Sequence, residues 1–103
     1  MSSFEVTSHA EGAGSRIVVR GELDTYRGAE LQAVLKDHLD AERRPIAIDA
    51  SGVTFLDSGG LRVLVDADDQ LREEGGALGL HDPSPQVHRM LRYTDLLGRF
   101  GLT

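Results

Sequence analysis

Cysteine is absent from the 103 residues of this chain. That excludes a disulfide framework, a thiolate nucleophile and any zinc site built on cysteine, and it fits a reducing compartment. No run approaches the roughly 20 apolar residues that a bilayer-spanning helix needs. The opening MSSFEVTSHA has neither the basic nor the apolar region of a signal peptide, so the expectation is a cytoplasmic protein without membrane insertion. Positive charge is also scarce. Seventeen Asp and Glu against eleven Lys and Arg leave a net charge of -6, the wrong sign for neutralising a phosphate backbone. Glu42-Arg43-Arg44 is too short and too mixed for a basic track and reads as solvated surface, so direct nucleic-acid binding is not expected.

Catalytic and cofactor signatures are missing too. The twelve glycines form neither a GxxxxGK[ST] loop nor a GxGxxG set, so no nucleotide site is read. No GxSxG surrounds Ser58, and the four histidines, at positions 9, 38, 81 and 88, have no local context that marks a general base. The adjacent pair His81-Asp82 beside Pro83 reads as the polar start of a loop, and no metal is assigned. The expectation is a protein that is not an enzyme and carries no cofactor.

What is present is an alternation of short apolar runs with helical periodicities, the pattern of an α/β layer arrangement in one domain over residues 1–103. Phe4 and Val6 alternate with Glu5 and Thr7, Glu11 to Ser15 supplies turn residues, and Ile17, Val18 and Val19 follow, which predicts a β-hairpin. From Tyr26 to Asp40 the apolar positions Leu31, Val34, Leu35 and Leu39 mark one face of a helix, leaving Lys36, Asp37 and Asp40 to water. Ile46 to Asp49, after Pro45, predicts a central strand. A second helix is expected from Ser58 to Glu74, with Gly60, Val63, Leu64, Ala67 and Leu71 inward and Asp66, Asp68, Asp69, Arg72 and Glu73 on other faces, ended by Gly75-Gly76. Ala77 to Leu80 predicts a short buried strand. Ser84-Pro85 supplies an N-cap and a first helical residue for a third helix that buries Val87, Met90 and Leu91, with Leu96, Leu97, Phe100 and Leu102 closing the core.

Strand, helix, strand, helix without further tight hairpins implies parallel, right-handed crossovers. The loops at the strand C-termini then share one end, where function collects in open α/β sheets. Here that end gathers Gly21 to Thr25 and Val53 to Gly60. Within SGVTFLDSGGLRVLV, Ser58 begins a helix, where unpaired N–H groups and the positive end of the dipole favour a phosphate. Gly59 and Gly60 leave the backbone bare and open to a close approach. On local sequence the same stretch also serves as a plain N-cap, by Asp57 or by Ser58. Leu61 stands three residues after Ser58, so no capping box accompanies it.

Gly21-Glu22-Leu23-Asp24, and Ile48-Asp49 followed by Gly52 to Leu61, resemble the two signature blocks of the STAS domains, in particular the bacterial anti-sigma factor antagonists. The spacing between the blocks agrees, and the similarity extends to the Gly75-Gly76 turn and the Ser84-Pro85 helix start. The resemblance implies a mixed sheet of four to five strands packed against three to four helices, and a partner-switching role. The unmodified protein would bind an anti-sigma factor that is also a serine kinase. Phosphorylation of Ser58 would end the complex, and a protein phosphatase would restore it. Asp24 and Asp57 match family positions near that serine. The partner-binding residues expected on this basis are Glu22, Asp24, Thr25, Asp57, Ser58, Gly59, Gly60 and Arg62. One position departs from the pattern: the residue after the serine is usually Ser, Ala or Thr, and here it is Gly59, whose bare backbone would allow a looser helix start. The alternative within the same fold is a non-catalytic scaffold subunit, in a stress-signalling assembly or beside a membrane lipid transporter.

Overall fold

The first two strands are joined as tightly as a hairpin allows. In the computed structural model, which describes residues 4–103, β1 (Phe4–Glu11) pairs antiparallel with β2 (Gly14–Leu23) and Glu11 faces Gly14. The loop is therefore Gly12-Ala13, with Gly12 at φ 60°, the positive value that the first position of a type II′ turn requires. The turn is shorter than the sequence suggested, and β2 begins before Ile17. Residues 1–3 of the expected 1–103 domain lie outside the described residues.

The chain continues through α1 (Thr25–Asp40), β3 (Ile46–Leu56), α2 (Ser58–Glu73), β4 (Gly79–His81), α3 (Pro85–Tyr93) and a 3₁₀ turn over Gly98–Phe100. The strand order is β1-β2-β3-β4, antiparallel for the first pair and parallel for the other two. The result is the expected α/β architecture with a mixed sheet. Helices α1 and α2 pack together, and α3 packs against β3. Ile17, Val19, Ile46 and Ile48 of the sheet, Leu31 and Leu35 of α1, Leu64 and Leu71 of α2, and Val87 and Leu91 of α3 form one buried cluster. In α1 Leu31, Leu35 and Leu39 are buried as the apolar spacing predicted, Val34 is half-buried against the core, and Gly28 joins the buried face.

Three expectations are corrected. The central strand does not stop at Asp49 but runs on to Leu56. Its pairing with β2 slips twice, between Val18 and Arg20 and between Gly21 and Glu22, and each slip places an extra residue on β3. An extra residue reverses which face the following side chains point to. The buried positions Ile46, Ile48, Ala50, Val53 and Leu56 accordingly change parity twice, and the period-two pattern of the first three does not carry on to Leu56. The last strand begins at Gly79 rather than Ala77, because the preceding segment is held elsewhere: the Leu78 N–H donates to Asp68 Oδ1 at 2.9 Å.

Asp68 is the third correction. Expected on a face of α2 other than the apolar one, it is fully buried. Its Oδ2 accepts hydrogen bonds from Arg72 Nε at 2.7 Å and Arg99 Nε at 2.6 Å. A buried carboxylate is tolerable when it is paired and hydrogen-bonded in this way. Arg99 also pairs with Asp69, so the 3₁₀ turn that buries Phe100 is fastened to α2.

Candidate functional site

Strands β2 and β3 end side by side, with Leu23 opposite Leu56. The residue after each is an aspartate, and each aspartate caps the helix that follows. Asp24 Oδ1 accepts from the Arg27 N–H at 2.7 Å, while its Oδ2 accepts from Arg27 Nη1 at 3.0 Å. Asp57 does more than cap. Its Oδ1 accepts from the Gly60 N–H at 2.9 Å. Its Oδ2 crosses to the neighbouring helix and accepts from the Thr25 N–H at 3.1 Å and the Thr25 hydroxyl at 3.2 Å. One carboxylate thus satisfies orphan donors at the first turns of both α1 and α2. Burial pushes the Asp57 carboxyl up, but the N–H groups of Gly60 and Thr25, the Thr25 hydroxyl and the Gly59 N–H outweigh it and hold the group below the ordinary carboxylate range. Asp57 is therefore ionised at neutral pH.

The choice between the two candidate caps is settled for Asp57, so Ser58 is the first residue of α2 and its side chain is exposed. The structure brings Glu22, Asp24, Thr25, Asp57, Ser58, Gly59 and Gly60 to the same end of the sheet. Arg62 lies one turn further along α2, exposed, with Nε 3.3 Å from Asp66 Oδ1. The expected loops there are shorter than anticipated, since β2 reaches Leu23 and β3 reaches Leu56. Asp24 and Asp57 alone separate strand from helix.

Gly59 is not loose. A Cβ built on it would stand 1.9 Å from Thr25 Oγ1, 2.6 Å from Thr25 Cβ and 2.7 Å from Thr25 Cα. On Gly60 a Cβ would meet the Leu23 carbonyl oxygen at 2.2 Å. The two glycines permit the close approach of α1 and α2 that lets Asp57 span both. The expectation of a looser helix start is overturned by this contact.

Residues 6–102 match the family model described as "Mlab, STAS domain". The chain belongs to the STAS domain family. Within the family, this STAS domain is 32% identical over 80 residues to the anti-sigma-B factor antagonist of Listeria monocytogenes, covering 78% of this chain and 70% of that protein. Its fold matches the crystal structure of an anti-sigma factor antagonist from Mycobacterium paratuberculosis with a TM-score of 0.86 and 26% identity, over 97% of this chain and 85% of that one. It also matches SpoIIAA, an anti-sigma factor antagonist. The unphosphorylated form aligns at a TM-score of 0.75 and 21% identity, over 91% of this chain and 82% of that one. The phosphorylated Bacillus form aligns at 0.73 and 20%, over 95% and 87%.

The STAS domain exposes three large apolar side chains that sequence reading did not single out: Tyr26 at 87%, Phe55 at 48% and Tyr93 at 77%. Tyr26 lies beside Thr25, off the Gly28, Leu31, Leu35 stripe, which is the signal that could have found it. Phe55 and Tyr93, with Leu56, Gln86, Arg89 and Met90, line an open groove of about 250 Å³ next to the Ser58 end. A larger cavity of about 360 Å³ lies at the opposite end, between Arg44, Pro45 and the Gly75-Gly76 turn. It gathers none of the signature residues, so volume alone does not mark the site here. Among the described residues no group of acidic or histidine side chains is arranged to hold a metal, and no helix is long and apolar enough to cross a membrane.

Proposed function

We propose that this STAS domain is an anti-sigma factor antagonist of the cytoplasm that regulates sigma-factor-dependent transcription by partner switching. Unmodified, it binds an anti-sigma factor with serine kinase activity through the surface around Glu22, Asp24, Thr25, Asp57, Ser58, Gly59, Gly60 and Arg62. The observation that carries this reading is the exposed Ser58 side chain at the first position of α2, beside a carboxylate whose cap duty leaves the serine free of one. In the modifying step, Ser58 Oγ bonds to the γ-phosphorus of ATP, the bond from that phosphorus to the β,γ-bridging oxygen breaks, ADP leaves and the hydroxyl proton is lost. Every catalytic group belongs to the kinase, and a protein phosphatase reverses the step by hydrolysis. The chain itself performs no catalysis in this scheme.

The energetics favour an interface switch over an unfolding switch. A phosphate adds about -1.5 to -2 charges to a surface that already holds ionised Asp57. Within the domain, the N-terminus of α2 offsets up to about 2 kcal/mol of that charge. Against a partner, one unfavourable pair near 4 Å is on the order of 4 kcal/mol at an effective dielectric of about 20. Reversing occupancy from 1:99 to 99:1 takes about 5.5 kcal/mol, so two such pairs suffice. The similar match of this chain to the phosphorylated and unphosphorylated SpoIIAA folds is in keeping with a fold that tolerates a phosphate.

The test compares Ser58→Ala with Ser58→Asp in binding to the cognate anti-sigma factor. The alanine variant is expected to bind irrespective of kinase activity, and the aspartate variant to bind at least about tenfold more weakly. Kinase and ATP should add one phosphate that mass spectrometry maps to Ser58. Equal affinities, or modification elsewhere, would overturn the assignment. A scaffold role in a lipid-transport or stress-signalling complex is the second reading, because the STAS fold by itself serves either role. Affinity purification that recovers transporter subunits in place of an anti-sigma factor would select it.

A further inference from the structure

Arg62 stands four residues after Ser58, so the two side chains are neighbours on one face of α2. Its guanidinium now rests on Asp66 with a single contact of 3.3 Å, between side chains that are 77% and 53% exposed. That pair runs base before acid along the helix, the weaker of the two orders. Helical side chains also lean toward the N-terminus, so reaching forward to Asp66 goes against the natural direction and reaching back to Ser58 goes with it. The other charged residues at the adjoining strand and helix ends are Glu22, Asp24, Arg27 and Asp57. Of these Arg27 is already held by Asp24, with a 3.0 Å contact between half-buried side chains.

We propose that Arg62 is the internal acceptor of the phosphate on Ser58: it exchanges Asp66 for the phosphoryl oxygens as the negative charge arrives. The inference rests on the proposed function only for the event that installs the phosphate. A phosphoryl group offers about -1.5 to -2 charges and three acceptor oxygens, against one charge on Asp66, and the arginine fork can bind two of those oxygens at once. The pair that forms is acid before base, the favoured order. Phosphorylation then occupies a cation that would otherwise meet partner carboxylates in addition to placing an anion there, so one modification adds a repulsive element and withdraws an attractive one.

The full chain with phosphoserine encoded at position 58 during translation makes the test independent of any kinase or partner. Its phosphate is titrated by phosphorus NMR in the otherwise unchanged protein and in Arg62→Gln and Arg62→Lys. The second ionisation, ordinarily near pH 6, is expected about 0.5 unit lower with Arg62 than with Gln, with Lys between them. The Arg62 Nε–H resonance should move on phosphorylation. Coincident titration curves for the three proteins, with that resonance unmoved, would overturn the pairing and leave the functional reading intact. Equal affinities of Ser58→Ala and Ser58→Asp would do the reverse.

Discussion

Two aspartates carry much of the local chemistry, and they do so in different ways. Asp57 is reached by backbone donors from two helices, and Asp68 by two arginines and the Leu78 N–H. For Asp68, burial pushes the carboxyl up, but the Arg72 hydrogen bond, the Leu78 N–H and Arg99 together hold it below its ordinary range. Asp49 is lowered as well, chiefly by the Ser51 N–H and hydroxyl. A carboxylate depressed in the folded state binds protons less readily than in the unfolded chain. Its stabilisation is therefore complete above the unfolded value of about 3.9 and disappears as pH falls through the folded value. Thermal melts from pH 7 to pH 2 should be level near neutrality and drop steeply below about pH 4. Asp68→Asn should lower the melting temperature at pH 7 and flatten that acid limb, with a cost of roughly 2–4 kcal/mol by urea denaturation because the partly exposed arginines recover some hydration. An unchanged acid limb would show that Asp68 does not govern it. Sequence reading placed Asp68 with Asp66 and Asp69 on the polar side of a helix. A lone acid inside a charged run carries no mark of burial when its partners are four residues away and 31 residues away.

At the scale of elements, the decisive feature is how closely α1 and α2 start. Thr25 and Gly59 occupy the same narrow gap, and the distance of 2.7 Å from a Gly59 Cβ to the Thr25 backbone leaves no room for a methyl group. Gly59→Ala is expected to cost about 1–3 kcal/mol, the range for overpacking a filled site. Adding Thr25→Ala should recover only part of that, since the clash with the Thr25 Cα remains. A double-mutant cycle in urea measures both numbers, and full recovery would place the strain in the Thr25 side chain alone. The helix starts themselves were legible. Asp-Ser-Gly-Gly and Ser84-Pro85 are cap signals, and Ser84 accepts from the Val87 N–H at 3.3 Å as such a cap should. Which of Asp57 and Ser58 caps α2 was not legible, because both residues can, and the decision depends on Thr25 standing within reach of the carboxylate. The length of β3 was hidden for a related reason. Its two slips are properties of its pairing with β2, and neither strand alone contains them.

At the scale of the whole molecule, the proposed switch needs a domain that takes on a phosphate without unravelling. The N-terminus of α2 favours that charge, and Ser58 contributes no cap that its modification would remove. The phosphorylated protein is accordingly expected to keep its circular dichroism spectrum and a urea midpoint within about 1 kcal/mol of the unmodified form, with partner affinity lost. A collapse of the midpoint on phosphorylation would move the switch from the interface to the fold. The three exposed aromatics at or beside the Ser58 end give such an interface apolar contact area next to its charged residues.

Local periodicity, capping chemistry and residue order were enough to give the α/β alternation, the apolar part of the helices' inward faces, the helix starts and the two signature blocks. The burial of Asp68, the reach of β3, the double duty of Asp57 and the need for glycine at position 59 emerged from the folded arrangement alone. Each of these depends on a contact between segments far apart in the chain, and such contacts exist only once the sheet has aligned the strand ends and drawn the two helices together.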